Sequence, residues 1–260
     1  MSTLLHVEST GHGAPLVLLH GWALHSGVWG PLMPHLAQRF RVHAVDLPGH
    51  GHSAGLPVFT LDSVVAVLEA TFAMERRPLT VLGWSLGGLV AMRWARAARA
   101  RVARLVLVCT SPRFVAGDDW PHAMSATTLA RFGDELHVSW QLTVQRFLGL
   151  QVHGSEHGRT ALAALRHELF ARGDPEPRTL AEALAVIGGT DLRGDLGEVR
   201  APALVVSGER DMLAPPAAGA WLAARLPDAR FERIVGAAHA PFLSHPAPFA
   251  ATLDGFLDAR

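Results

Sequence analysis

An α/β fold is what this sequence predicts, with a mostly parallel central sheet flanked by helices and a helical lid inserted, and three observations predict it. Short apolar runs bounded by turn residues recur at 16–19, 42–45, 79–82, 105–108, 203–206 and 231–235, each the length of a buried strand. Helical periodicity separates several of them, at 61–75, 86–98 and 217–226. Strand alternating with helix implies right-handed crossovers and a parallel sheet covered on both faces. The rhythm stops after Cys109 and resumes near Ala203, and the stretch between carries helical patterns and no clear strand.

Residues 1–111 and 191–260 therefore read as the core, and 112–190 as the lid. Within the lid, helices are expected at 123–132, 134–150, 156–171 and 177–187, broken by Gly133, His153-Gly154 and Gly173-Asp174-Pro175. The insertion leaves after one strand and returns at the next. It should therefore roof the carboxyl ends of the strands, where open α/β sheets bind ligands.

The chain has 260 residues, 49% hydrophobic and 18% charged, enough to bury one sizeable core without disulfides or metals. Its 23 basic and 23 acidic residues balance, so no overall field draws it to nucleic acid or an anionic membrane. Cys109 is the single cysteine, which excludes an internal disulfide and suits a reducing compartment. The first nine residues include a Glu and a His and lack an apolar core, against a secretory signal. No run reaches the ~20 apolar residues of a spanning helix. A cytoplasmic protein, working as a monomer, is expected. Lys, Asn and Tyr are absent and Ile occurs only at 187 and 234, the mark of a GC-rich genome. The lack of Lys excludes a Walker A loop or a Schiff base.

Gly83-Trp84-Ser85-Leu86-Gly87 matches G-x-S-x-G, directly after an apolar strand and before a helical pattern. Such a turn strains the serine backbone, needs glycines beside it, and projects the hydroxyl over the sheet at a helix N-terminus. Serine needs a base held by a third group. Of 15 histidines, His239 stands out in the small-residue loop Gly236-Ala-Ala-His-Ala-Pro-Phe242 after the last strand. His245 is its nearest rival, placed before Pro246 where a cap or surface contact is usual. Asp211 follows the strand at 203–206, with Glu209, Asp191 and Asp195 as substitutes. Ser85, Asp211 and His239 stand in nucleophile–acid–base order. Two oxyanion donors are expected, the backbone N–H of Leu86 and that of Trp22 in His20-Gly21-Trp22. His20 reads as a structural hydrogen-bonding residue. The loop Asp46-Leu-Pro-Gly-His-Gly-His-Ser53 shapes the rim, and no metal is assigned to His50 and His52 because no nearby cluster completes a site.

These motifs resemble the α/β-hydrolases over the whole chain. Trp84 in the elbow, Arg146-Phe-Leu-Gly-Leu-Gln151 and Ala238-His-Ala-Pro-Phe-Leu-Ser-His-Pro246 resemble, more narrowly, the pimeloyl-acyl-carrier-protein methyl ester esterases of biotin synthesis. The resemblance implies hydrolysis of a pimeloyl methyl ester carried on acyl carrier protein, no cofactor, and substrate contacts at Trp22, Ser85, Leu86, Phe147, Leu148, Gly149, Leu150, Gln151 and His239. The carrier is acidic, so Arg146, Arg159 and Arg166 are its expected docking residues, with Arg172 nearby. From 112 to 190, however, seven Arg face nine acids, and Leu142 and Ala163 stand where the family carries further arginines. A generalist carboxylesterase or lactonase, a carbon–carbon bond hydrolase of the same fold, and a non-catalytic ligand-binding protein remain alternatives. Asp-nucleophile dehalogenase and epoxide hydrolase chemistry is excluded by Ser85.

Overall fold

A computed structural model describes residues 5–258. Residues 1–4 and 259–260, the outermost positions of the expected core segments and the start of the stretch read against a signal, lie outside the described residues. Among the described residues, seven strands, β1 (Val7–Thr10), β2 (Ala14–Leu19), β3 (Phe40–Val45), β4 (Leu79–Trp84), β5 (Val102–Val108), β6 (Ala203–Gly208) and β7 (Ala229–Ile234), form one sheet in the order β1-β3-β2-β4-β5-β6-β7. All neighbours are parallel except β1 with β3. Strands β4 and β6 are buried at every residue, which is why their sequences run apolar without alternation. At the far edge, β7 carries Arg230, Glu232 and Arg233 on exposed positions, charges that discourage further pairing.

Among the described residues, ten α-helices accompany the sheet, eight between strands and two after β7: α1 (Met33–Leu36), α2 (Leu61–Thr71), α3 (Leu86–Ala97), α4 (Ala126–Val138), α5 (Trp140–Val152), α6 (Gly158–Leu169), α7 (Pro177–Gly189), α8 (Pro216–Arg225), α9 (Pro241–Ser244) and α10 (Pro246–Leu257). Thr60 and Ser63 cap the start of α2 reciprocally. Helix α3 packs on β4 and β5 beneath α2, so it is apolar nearly all round.

Two expectations need correction. Strand β1 was missed because four residues reading Val-Glu-Ser-Thr are too short and too exposed to show a pattern; the ladder from Val7 to Thr10 against Val45 to Val42 supplies what their side chains do not. The break expected at Gly133 lies instead at Ser139. Nothing approaches Gly133 within 4 Å of a side-chain position, and one glycine costs a helix only about 1 kcal/mol. Ser139 takes an extended backbone (φ −156°, ψ 91°), and its carbonyl accepts from the Thr143 N–H and hydroxyl.

Helices α4–α7 lie between β5 and β6 in the chain and are tied down on two sides. On one side, the Trp22 indole donates to the Leu180 carbonyl (2.9 Å) and the Glu176 N–H to that of Gly49 (3.3 Å). On the same side, Arg172 pairs with buried Asp46 (3.1 Å) and with Glu8 (2.6 Å). On the other, Arg210 donates to the Gly154 carbonyl (2.8 Å) and the Glu156 N–H to that of Gly236 (3.1 Å). Among the described residues, no helix is long and apolar enough to cross a membrane.

Candidate active site

Ser85 joins β4 to α3 with φ +55° and ψ −117°, a conformation that an L-residue holds only where its surroundings enforce it. A side chain on Gly83 would run into the Gly87 carbonyl, and one on Gly87 into the carbonyls of Leu19 and His20. The flanking glycines are thus required by backbone contact. Ser85 N–H donates to the Val108 carbonyl (3.0 Å), and the Ser85 carbonyl accepts from Thr110 Oγ1 (2.8 Å) and Gly88 N–H (2.9 Å), so the turn is clamped to the end of β5.

The structure brings Asp211 and His239 together from the loops after β6 and β7. His239 Nδ1 and Asp211 Oδ2 are 2.8 Å apart. The other carboxylate oxygen accepts from the N–H groups of Leu213 (2.8 Å) and Ala214 (3.0 Å). With a carboxylate as acceptor, Nδ1 carries the ring proton and Nε2 is left as a lone-pair base. Nε2 is buried and has no hydrogen-bond partner among the described residues. Ser85, Asp211 and His239 are 3%, 3% and 1% exposed, a dry setting in which charge interactions are strong.

Two bonds that the sequence did not announce fix the His239 backbone. Trp84 Nε1 donates to the His239 carbonyl (2.7 Å), and His239 N–H donates to the Gln151 carbonyl (2.9 Å) at the end of α5. Trp84 itself rests on Phe242 and Trp29, with ring centroids 5.0 and 6.3 Å away. Cys109 sits at φ +45° with its sulfur beside Asp211 and His239. Burial, and then the Asp211 charge, push its thiol well above the ordinary value, so it remains a neutral S–H. Of the rival acids, Glu209 accepts the Gly236 N–H (3.0 Å), while Asp191 and Asp195 pair with Arg193 and Arg96. The side chain of His245, the rival base, makes no capping bond to α10 and faces Ser244 instead.

The loop after β2 lies against the elbow: a side chain on Gly21 would reach within 3.4 Å of Ser85 Cβ. Leu86 is the first residue of α3, so its N–H has no acceptor within the helix. His20 Nε2 accepts the Leu47 N–H (2.9 Å), which leaves Nδ1 to donate to the Gly21 carbonyl (2.8 Å). It stitches the loops after β2 and β3 in the structural role the sequence suggested.

The run at 147–151 divides. Phe147, Leu148 and Gln151 are buried, with Phe147 edge-on to the Trp22 ring (4.9 Å) and Gln151 Oε1 unpartnered among the described residues. Gly149 and Leu150 instead line a groove of about 480 Å³ between α4 and α5, shared with Arg131, Phe132, Arg146 and His153. Arg146 is paired with Glu135 (2.9 Å). Arg159 and Arg166 are exposed on α6. Arg172, expected near the docking surface, is instead engaged with Asp46 and Glu8.

A profile of the alpha/beta hydrolase fold matches residues 14–246. The chain belongs to the α/β-hydrolase fold family. This α/β-hydrolase is 44% identical over 256 residues to the pimeloyl-[acyl-carrier protein] methyl ester esterase of Chromobacterium violaceum, covering 98% of this chain and 99% of that one. It is 43% identical over 252 residues to the protein of the same name from Nitrosomonas europaea, covering 96% and 98%. An esterase structure from Exiguobacterium antarcticum superposes with a TM-score of 0.90 at 21% identity, over 98% of this chain and 96% of that one, a likeness of fold.

Burial has a cost measurable in this hydrolase as acid sensitivity. It lowers the imidazole pKa of His20 to about 3 and of His50 to about 4, and that of His25 in the same direction. Unfolded, each returns to near 6.5, so between there and the lowered values only the unfolded chain binds the proton. Stability then falls with pH by about 1.4 kcal/mol per pH unit per group. The thermal midpoint is expected to be level above pH 7 and to drop steadily from pH 6.5 to 4; a flat profile over that range in calorimetry would contradict the burial of these rings.

Proposed function

We propose that this chain is a serine carboxylesterase that removes the methyl ester from pimeloyl-acyl-carrier protein methyl ester, giving pimeloyl-acyl-carrier protein and methanol in biotin biosynthesis. The observation that carries the reading is the 44% identity, over nearly the full length, to a relative named for that reaction. The bond between His239 and Asp211, with Nε2 free, supports the roles assigned below.

In this reading Ser85 Oγ attacks the ester carbonyl as His239 Nε2 takes its proton, and Asp211 steadies the imidazolium. The oxyanion is received by the N–H groups of Trp22 and Leu86, each worth about 3–4 kcal/mol in the transition state. The C–O bond to methoxide breaks as Nε2 returns the proton, releasing methanol. Water then attacks the acyl-enzyme with the same residues in reversed proton roles. Trp22, Phe147, Leu148 and Gln151 hold the methylene chain, Gly149 and Leu150 shape the outer face of α5, and Arg146, Arg159 and Arg166 meet the acidic carrier protein.

The test compares kcat/KM for carrier-bound pimeloyl methyl ester with that for p-nitrophenyl butyrate, in the parent and in an Arg146→Ala/Arg159→Ala/Arg166→Ala variant. The carrier-bound ester is expected to be preferred, and the triple change to raise its KM tenfold or more. A parent enzyme that favours the small ester would mark a generalist esterase and remove the carrier from the scheme.

A further inference from the structure

We propose that Glu156, His157 and His245 form a site for a divalent transition-metal ion of the Zn²⁺ class, at the seam between the α4–α7 insertion and the segment that carries His239. The three residues offer ligand atoms that all lie within 4.8 Å of one another. They come from distant parts of the chain: Glu156 and His157 from the turn between α5 and α6, His245 from the single residue joining α9 to α10. One carboxylate and two imidazoles make a Zn²⁺ donor set, with bonds of about 2.0–2.2 Å and hence ligand separations of roughly 3.3 Å in a tetrahedron. Glu156 and His157 are exposed and can close that difference, leaving the fourth position to water.

His245 is the preset ligand. It is 9% exposed. Ser244 Oγ donates to the Ala240 carbonyl (3.1 Å), so in the 2.9 Å contact between Ser244 Oγ and His245 Nδ1 the ring N–H is the donor. That assigns the lone pair to Nε2, which is buried without a hydrogen-bond partner among the described residues. A ring held through one nitrogen with the other left bare is the arrangement that outer partners impose on metal-binding histidines. The His157 ring stands 5.1 Å away.

Glu156 is positioned as well. A side chain on Gly236 would collide with its carboxyl group, and Oε1 lies 3.2 Å from the Arg210 guanidinium. The second carboxylate oxygen is the one offered to an ion. Gly236 stands three residues before His239, so a bound ion would fasten the α5–α6 turn to the α9–α10 junction beyond His239.

Isothermal titration of ZnCl₂ into the tag-free full-length chain tests this. One ion per chain is expected, with a rise of several degrees in thermal midpoint at saturation and visible d–d absorption when Co²⁺ replaces Zn²⁺. His157→Ala is expected to weaken binding at least tenfold; this exposed residue makes no capping bond to α6, so the fold should persist. Glu156→Gln should act in the same direction. Absence of saturable Zn²⁺ binding overturns the proposal. So does stoichiometric binding that survives His157→Ala but is lost in Cys109→Ser, which would place the ion on Cys109, Asp211 and His239, the other set within 4.8 Å.

Discussion

Ser85→Ala is expected to lower kcat for ester hydrolysis by up to ~10⁶ and to leave the fold intact. The size follows from the chemistry: without a nucleophile no acyl-enzyme forms, and only the oxyanion donors and substrate binding remain. The fold should be spared because the Ser85 hydroxyl makes no capping bond to α3, and the turn is held by the backbone bonds of Ser85 to Val108 and Gly88. Alanine inherits the positive φ with no added bulk. Matched circular dichroism spectra and thermal midpoints would establish the fold, and a fluorophosphonate probe should label the parent and not the variant. Near-parental esterase activity in Ser85→Ala would end the proposed mechanism; a parent protein that the probe fails to label would favour a binding protein without catalysis.

Arg172→Met is expected to destabilise the protein by about 3–5 kcal/mol, the cost of stripping the partner from a buried charge. Asp46 is fully buried. Burial alone would raise its pKa, but the N–H groups of His52 and Ser26 hold the carboxyl well below the ordinary range. Arg172, from the turn after α6, is its cationic partner, at 3.1 Å. At pH 7 the variant keeps a carboxylate with two amide donors and no counter-charge, and its thermal midpoint should fall by on the order of 10 °C. Adding Asp46→Asn should recover part of the loss, because the uncompensated charge is then gone. If Arg172→Met melts with the parent, the ion pair is not what joins the insertion to this side of the core.

Much of the fold was legible because parallel strands buried on both faces must be apolar throughout. The runs at 79–82, 105–108 and 203–206 fall inside β4, β5 and β6. Strand β1 was not legible, since its pairing is a backbone ladder with little side-chain signature. The break at Ser139 was assigned to Gly133 because glycine is a cue only where the backbone needs it, and α4 does not. At the candidate site, Gly83-Trp-Ser-Leu-Gly marked the turn and the small-residue loop around His239 set it ahead of His245, whereas chain order fits Glu209 as well as Asp211.

Taken alone, then, the sequence determined the order of the buried strands and the helices between them, the elbow at Ser85 and the candidates for an acid and a base, since each is written in local periodicity or in a short motif. Only the tertiary structure decided which atoms meet. The 2.8 Å contact of His239 with Asp211, the Gln151 carbonyl that holds the His239 backbone, the Asp46–Arg172 pair and the gathering of Glu156 and His157 with His245 all join segments between 28 and 126 positions apart. Contacts of that kind leave no local pattern, because chain closure over such distances is set by how the whole sheet and insertion pack.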